Sequence, residues 1–161
     1  MKFIPVKIRN FKASQKAIVD DCFYEEMSKY TWYLRSSSSY AGFALNVKGK
    51  KKDFLMHIMI KGRAPKGQTI DHINCDKLDN RLSNLRYCTI AENMCNRQKQ
   101  RNNTSGYKCV YLVNKNSQRP WTARIKKNYK KYELGRFETP ELAYEAYKVA
   151  AIKLHGEFAR F

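Results

Sequence analysis

The chain has 161 residues, which is enough for one ordinary domain or for two to three small ones. Apolar residues make up 43% and aromatic residues 13% of the sequence, a composition typical of folded cores and not of disordered chains. The formal net charge is +18, from 32 Lys and Arg against 14 Asp and Glu. No apolar run approaches the ~20 residues that span a bilayer, so no membrane partner is expected.

The positive charge predicts a polyanionic partner, because each neutralised phosphate releases condensed counterions. Residues 1–95 carry 17 basic against 9 acidic residues, and residues 96–161 carry 15 against 5. A single basic tail on a neutral domain does not give this distribution, so both halves are expected to face nucleic acid. The alternative is a basic surface that serves only solubility.

The five cysteines indicate a reduced, cytoplasmic setting, because their number is odd, none forms a C-x-x-C pair and no secretory segment is evident. Three of them, Cys75, Cys88 and Cys95, lie close together in the sequence. Their spacings of 13 and 7 do not match the usual zinc-binding patterns. No zinc is therefore expected, and buried, inert thiols are the favoured interpretation.

Residues 1–60 alternate short apolar stretches with polar turns, which predicts a small, mostly β module. Ser36–Ser39 is predicted as a turn or loop, and Val47–Asp53 as a lysine-rich hairpin tip. The apolar segment Phe54–Ile60 is either helix or strand, since periodicity does not decide for so short a run. The stretch KGRAPKGQ (61–68) is a Gly- and Pro-containing link to the next region.

The next region is predicted to form a hairpin followed by a helix. Thr69–Ile73 is rich in β-forming residues, Asn74–Asn84 is polar, and Leu85–Thr89 has the propensity of a second strand. The four residues Thr89–Glu92 have the sequence of a capping box, so a helix is expected to begin there.

An acid beside a histidine, Asp71-His72, lies on the first of these strands, and Asn84 and Asn93 follow at intervals of twelve and nine residues. The stretch DHINCDKLDNRLSNLRYCTIAENMCN (71–96) resembles the HNH nuclease motif in its His-Asn-Asn form, as found in phage and intron homing endonucleases. The resemblance implies a ββα-metal fold, with two strands and a helix around one metal ion. The elements predicted independently for this stretch agree with it.

Phosphodiester hydrolysis requires an activated water and stabilisation of the charge that develops on the phosphate. His72 is the predicted base, because a histidine of near-neutral pKa can accept the proton of water. By position in the family motif, Asn84 is implied to orient this imidazole, and Asp71 and Asn93 to bind the metal. Two oxygen ligands, with the other positions left to DNA and water, suit Mg²⁺, with Mn²⁺ as a substitute. Taken singly, these residues are also typical of turns, helix caps and exposed helix positions. Their joint spacing favours the nuclease interpretation.

Three other segments, near the motif or in the last helix, carry residues that could have a role. His57, in LMHIMI, is either a phosphate contact or a half-buried structural residue, and the structural role is favoured. Asp79-Asn80 has the chemistry of a turn, and Arg81 beside it is a candidate contact to the cleaved strand. His155 is expected to help end the last helix.

The stretch RQKQRNNTS (97–105) is polar and basic, and predicts a linker that follows a phosphate backbone or a minor groove. Its candidate DNA contacts are Arg97, Lys99 and Arg101.

Three β-like runs and a helix follow the linker. The runs are Tyr107–Val113, Trp121–Lys127 and Lys130–Phe137, with turns at Asn116-Ser117 and Lys127-Asn128. Thr139-Pro140-Glu141 predicts a helix start. The helix carries an apolar face and a glycine stop: Ala143, Tyr147, Ala150, Ala151, Leu154 and Gly156.

This order, with the run YELGRFETPELAYEAYKVAAIKLHGEFA, resembles the plant APETALA/ethylene-response-factor DNA-binding domain, which also occurs fused to phage HNH nucleases. One departure is Cys109, where that family usually has glycine. The resemblance implies that outward side chains of the sheet enter the major groove, where Arg and Lys can bond guanine and Glu can bond cytosine. The candidates are Arg124, Lys126, Lys131 and Glu133, and the alternative for each is a solvated charge.

The sequence thus predicts an α+β protein in four parts. Residues 1–60 form the β-rich module, 61–100 the ββα-metal HNH core, 101–106 a basic linker, and 107–161 a three-stranded antiparallel sheet packed on one helix. The predicted function is that of a monomeric, site-specific homing endonuclease that nicks double-stranded DNA and has no small-molecule substrate. The alternatives are a DNA-binding protein that has lost cleavage and a protein that binds structured RNA.

Overall fold

The computed structural model describes residues 1–8, 13–36, 38–100, 102–127 and 130–161. The chain divides into two compact units, Met1–Thr89 and Ile90–Phe161. This boundary lies inside the range predicted for the nuclease core, 61–100, and the predicted division of the chain by function stays a prediction. Within the described ranges, none of the helices is long and apolar enough to cross a membrane.

The first unit contains a five-stranded sheet. Its strands are β1 (Lys2–Lys7), β2 (Ser14–Val19), β3 (Trp32–Leu34), β4 (Ala41–Val47) and β5 (Lys50–Leu55). Their order is β2-β1-β3-β4-β5, with β1 and β3 parallel and the other pairs antiparallel. The predicted lysine-rich hairpin joins β4 to β5 through Lys48 and Gly49, both with positive φ, as a two-residue hairpin turn requires.

Two helices accompany this sheet, α1 (Asp21–Ser28) and α2 (Met56–Lys61). The segment Phe54–Ile60, which the sequence left open between strand and helix, contains both. Strand β5 ends at Leu55, and α2 begins at the next residue.

The predicted hairpin completes the first unit. Strands β6 (Gln68–His72) and β7 (Leu85–Thr89) pair antiparallel, and a short 3₁₀ turn, Leu82–Asn84, precedes β7. Ile70 and Leu85 of this hairpin belong to the same core as Trp32 and Phe43 of the five-stranded sheet. The β-rich module and the hairpin therefore share one hydrophobic core, so burial of apolar surface stabilises them together.

The second unit begins with α3 (Ile90–Cys95) and continues with β8 (Val110–Leu112), β9 (Trp121–Lys127), β10 (Lys130–Phe137) and α4 (Pro140–His155). The three strands form an antiparallel sheet in the order β10-β9-β8. Its core combines Ala123 and Ile125 of β9 with Ala143, Tyr147 and Ala151 of α4. The predicted α+β class and the three-stranded sheet packed on the C-terminal helix are confirmed.

Local signals account for the ends of α4. The Thr139 side chain accepts a hydrogen bond from the Leu142 backbone N–H, and Pro140 occupies the first helical position. The helix ends at Gly156, whose φ is +54°. The predicted apolar face lies against the sheet, as its spacing requires. The turn predicted at Lys127-Asn128 lies partly outside the described residues.

Candidate active site

Asp71 and His72 are the last two residues of β6, and each is only 4% exposed. Asp71 lies opposite Arg86 of β7 in the antiparallel register. The Arg86 guanidinium binds the Asp71 carboxylate, with Nε 3.0 Å and Nη2 2.9 Å from Oδ2. The hairpin thus carries a carboxylate and an imidazole side by side in a site with little access to water.

The His72 ring is enclosed by polar and aromatic neighbours. Its Nε2 lies 3.3 Å from Asn80 Oδ1, and its ring centroid lies 5.3 Å from that of His57 and 5.7 Å from that of Tyr40. Burial lowers the pKa of His72, although the Asn80 contact and three nearby aspartates oppose that shift. A neutral imidazole is the form that can accept a proton.

His57 lies on α2, and its side chain packs in the same aromatic group. Its ring centroid is 4.6 Å from that of Tyr40, and the residue is 6% exposed. Burial, and then the neighbouring His72, lower the pKa of His57 to about 4. Its Nδ1 has no hydrogen-bond partner among the described residues. These contacts are those of a packed residue, which is the role that the sequence favoured.

Asn84 holds the loop between the two strands of the hairpin. Its Oδ1 accepts a hydrogen bond from the Asn74 backbone N–H at 2.9 Å, and its Nδ2 donates to Asn74 Oδ1 at 2.9 Å and to the Asp79 carbonyl at 2.8 Å. Its carboxamide thus bridges both ends of the loop. The orientation of His72 by Asn84, implied by the family motif, stays a prediction.

Asp79 and Arg81 form a second ion pair in the same loop. Arg81 donates through Nε at 2.8 Å and Nη2 at 2.6 Å to the two carboxylate oxygens of Asp79, a bidentate arrangement. The hydrogen bond from Arg81 is the largest of the effects that hold the pKa of Asp79 below its usual range. Asp79-Asn80, predicted as an ordinary turn, is 1% exposed at both residues. That prediction missed the burial.

The loop is also fixed to the five-stranded sheet. The Ile18 N–H donates to the Leu78 carbonyl, and the Asn80 N–H donates to the Ile18 carbonyl, both at 2.8 Å. This forms a parallel bridge between Ile18 of β2 and Asp79. The edge strand of the N-terminal sheet therefore sets the position of the residues that surround His72.

Asn93, the second predicted metal ligand, lies on α3 and belongs to the second unit, whereas Asp71 belongs to the first. In the described part of the chain, no group of three or more His, Cys, Asp or Glu side chains is arranged to hold a metal ion. The predicted pair is instead a carboxylate and a carboxamide. Both offer hard oxygen donors, and Mg²⁺ is commonly held by one or two carboxylates together with water and phosphate. The donor chemistry fits a divalent cation of this kind.

The four predicted contacts of the C-terminal sheet lie together on its exposed face. Arg124 and Lys126 alternate along β9, and their register partners on β10 are Glu133 and Lys131. Glu133 accepts a hydrogen bond from Thr122 at 3.0 Å and pairs with Arg136 at 3.4 Å. The result is a cationic surface in which the only acid of the four is already bonded to its neighbours.

The remaining DNA-contact candidates that the structure describes are exposed or partly exposed. Arg97 is exposed, and so is Lys99, whose Nζ donates to the Gly106 carbonyl at 2.8 Å. Arg101 lies outside the described residues. Arg81 is half-buried and committed to Asp79.

Three residues at these sites were not identified from the sequence, namely Tyr40, Arg86 and Arg136, and Asn80 was predicted only as part of a turn. Tyr40 and Asn80 touch His72 from distant or turn-like segments, so no local pattern marks them. Arg86 was recognisable in principle, since pairing the two predicted strands places it opposite Asp71.

The thiols differ in burial. Cys88 is buried, Cys75, Cys95 and Cys109 are half-buried, and Cys22 is exposed. Burial was expected for Cys75, Cys88 and Cys95, and only Cys88 is fully buried. Cys109 has a φ of +62°, the left-handed region that favours glycine, which is the residue usual at this position in the family that the C-terminal segment resembles.

Comparison with known proteins places this hairpin in a defined family. The family model described as HNH endonuclease matches residues 50–95, which include β5 to α3. An uncharacterized HNH endonuclease of Acanthamoeba polyphaga mimivirus is 33% identical over 133 residues, covering 83% of this chain and 67% of that protein. Protein 3.8 of Escherichia phage T7 is 33% identical over 100 residues, covering 62% of this chain and 80% of that protein. The search of solved structures gave no match.

A buried Asp-His pair on a β hairpin, within a segment that matches this family, defines the class of protein. The chain belongs to the HNH endonuclease family. Its HNH domain suggests a nuclease that acts on DNA. The similarity of residues 107–161 to the plant APETALA/ethylene-response-factor DNA-binding domain stays a prediction.

Proposed function

We propose that this protein is a site-specific, divalent-metal-dependent endonuclease of the homing type, which nicks one strand of double-stranded DNA at each visit. The observation that carries the proposal is the Asp71-His72 pair, buried at the end of β6 inside the segment that matches the HNH family. The net charge of +18 supports a polyanionic substrate.

In this mechanism His72 removes the proton from the attacking water. The burial that lowers the pKa of His72 keeps its ring neutral near pH 7 and therefore ready to accept that proton. The rings of Tyr40 and His57 pack around it and restrict its movement. Proton transfer is efficient only when the base is held in one orientation, so this packing contributes to the rate.

Asp71 and Asn93 would hold the divalent cation, Mg²⁺ in our proposal. When bound, such a cation stabilises the charge that develops on the phosphate and on the leaving oxygen. Arg86 holds the Asp71 carboxylate in place across the hairpin.

Basic residues of the second unit would hold the DNA. The sheet of the second unit presents Arg124, Lys126 and Lys131 on one face, and Arg97, Lys99 and Arg101 precede it in the chain. Contacts spread over two units would lengthen the recognised sequence beyond what a small catalytic hairpin can select. One active site per monomer would produce a nick and not a double-strand break.

The test is cleavage of supercoiled plasmid and of a random duplex library by the purified protein. We expect open-circle product with Mg²⁺, none with EDTA, and a loss of about 10²–10⁴-fold in rate for His72→Ala, the usual contribution of a general base. His155→Ala is the matched control, because it removes an imidazole of the second unit and should leave the rate unchanged. Binding of DNA without cleavage across several divalent metals would overturn the proposal and favour a non-catalytic DNA-binding protein.

A further inference from the structure

Asn80 has a geometry that nothing in its sequence context predicts. It is 1% exposed, and its side chain lies between the His72 ring, Met56 and the loop backbone. Every polar atom of such a side chain needs a partner, since an unpaired buried donor or acceptor is costly. The partners of its carboxamide therefore decide which way it faces.

The orientation of this carboxamide follows from its donors. Nδ2 lies 3.1 Å from the Leu78 carbonyl oxygen and 3.4 Å from Met56 Sδ, and both of these are acceptors. The flipped amide would place its oxygen against the Leu78 oxygen, with no hydrogen between two acceptors. Oδ1 therefore faces His72, where it lies 3.3 Å from Nε2.

The hydrogen-bond acceptor that faces Nε2 selects one tautomer of the His72 ring. A neutral imidazole carries one hydrogen, and a carboxamide oxygen can only accept it. The hydrogen must then be on Nε2, which leaves the lone pair on Nδ1. The Asn80 backbone is held in its turn by the hydrogen bond to Ile18 of β2, so the acceptor cannot easily move away.

We propose that Asn80 is a positioning residue that fixes His72 as the Nε2–H tautomer, so that Nδ1 is the atom that accepts the proton of water. The proposal rests on the function proposed above and assigns to Asn80 the orienting role that the family motif implies for Asn84. Asn84 instead closes the loop through Asn74 and the Asp79 carbonyl.

The direct test is ¹H–¹⁵N correlation NMR of the imidazole rings in ¹⁵N-labelled full-length protein above pH 7. The chain has only three histidines, so the signals lost in His72→Ala assign its ring. We expect a protonated Nε2 and an unprotonated Nδ1 in the wild type. A hydrogen on Nδ1 with a lone pair on Nε2 would overturn the proposal, even if no Asn80 variant folds.

Two variants separate the direct contact from the integrity of the loop. Asn80→Leu keeps the size of the side chain and removes the acceptor, so the ring should become a mixture of tautomers. Asn74→Ala removes hydrogen bonds elsewhere in the loop and should keep the wild-type ring signals. An unchanged tautomer in folded Asn80→Leu, or the same mixture in Asn74→Ala, contradicts the proposal.

Kinetics supply a second readout. Asn80→Leu should lower kcat for nicking by about 10–100-fold, the usual cost of losing an outer-shell partner, and leave KM within about twofold. A rise in KM alone would contradict the positioning role. Because the NMR measurement does not depend on cleavage, a protein that fails to nick DNA but shows the expected tautomer would reject the function and leave the assignment of Asn80 intact.

Discussion

The loop of the hairpin and the outer face of the C-terminal sheet use polar residues in opposite ways. In the loop, Asp79, Asn80 and Asn84 are buried and bonded to neighbouring side chains or to the backbone. On the sheet, Arg124 and Lys126 are exposed. Buried polar groups fix the geometry of a few atoms, whereas exposed charges attract a polyanion from a distance without fixing it. Under the proposed function, the first region would carry the chemistry and the second the affinity for DNA.

Loss of the buried carboxylate beside His72 should have the largest effect. Asp71→Ala leaves the Arg86 guanidinium buried without its carboxylate, so we expect a loss of about 3 kcal/mol in the free energy of unfolding as well as loss of Mg²⁺-dependent nicking. Urea unfolding and plasmid cleavage measure the two effects. Asp76→Ala, which removes an exposed acid of the adjoining loop, is the control, and equal destabilisation by both variants would contradict the importance of burial.

The ion pair between Asp79 and Arg81 predicts that the stability of the protein depends on pH. Asp79→Asn should cost about 2 kcal/mol at pH 7, because a buried carboxylate that accepts two hydrogen bonds from Arg81 is replaced by a neutral group. Since the folded pKa of Asp79 lies below its usual value of 3.8, this contribution is complete above that pH and is lost as the pH falls through the folded pKa. Urea unfolding of both proteins at pH 7 and at pH 3 tests this. A difference that grows on acidification would reverse the sign and refute it.

Removing two charges from the sheet should weaken DNA binding and leave the hairpin intact. In a cleavage-deficient His72→Ala background, Arg124→Ala with Lys126→Ala should reduce duplex affinity about tenfold near 0.15 M salt. The slope of log K against log salt should fall by about 0.9 for each phosphate contact removed. Gel shifts over a salt series measure both. Lys148→Ala on α4 is the control, and an equal loss there would mean that the sheet has no special part in binding.

The smallest effect concerns the scaffold of the second unit. Thr139→Ala removes the side-chain cap of α4 and should cost about 1 kcal/mol in the stability of that unit, whereas Thr139→Ser should recover most of it. Urea unfolding of the three proteins gives the comparison. The nicking rate at saturating DNA should not change. A slower chemical step in Thr139→Ala would contradict the expectation that the second unit affects binding and not the chemical step.

Much of the second unit followed from the sequence, because its signals are local. The alternating pattern and the turns on either side gave the bounds of β9 and β10, and Thr139-Pro140 marked the start of α4. Strand β8 is shorter than the predicted Tyr107–Val113. The backbone at Cys109 is left-handed and interrupts that run. Glycine would have suggested such a conformation, whereas cysteine at this position does not.

The surroundings of His72 were less predictable for a physical reason. The hairpin strand that carries Asp71, and the position of Asn84 just before the second strand, were recognisable from β propensity and motif spacing. The burial of Asn80 depends instead on Ile18, about sixty residues earlier in the chain, and that of the His72 ring on Tyr40. Contacts between such distant segments leave no periodic signal, so the loop resembled an exposed turn.

The bridge between Ile18 and Asp79 limits how this protein can be engineered. A gene fragment for the family-matched residues 50–95 would discard the strand on which the loop rests and would expose Ile70 and Leu85 to water. The hairpin segment alone is therefore not expected to keep its structure when it is fused to a different protein. A chimera would have to retain the five-stranded sheet, because the loop is hydrogen-bonded to its edge strand.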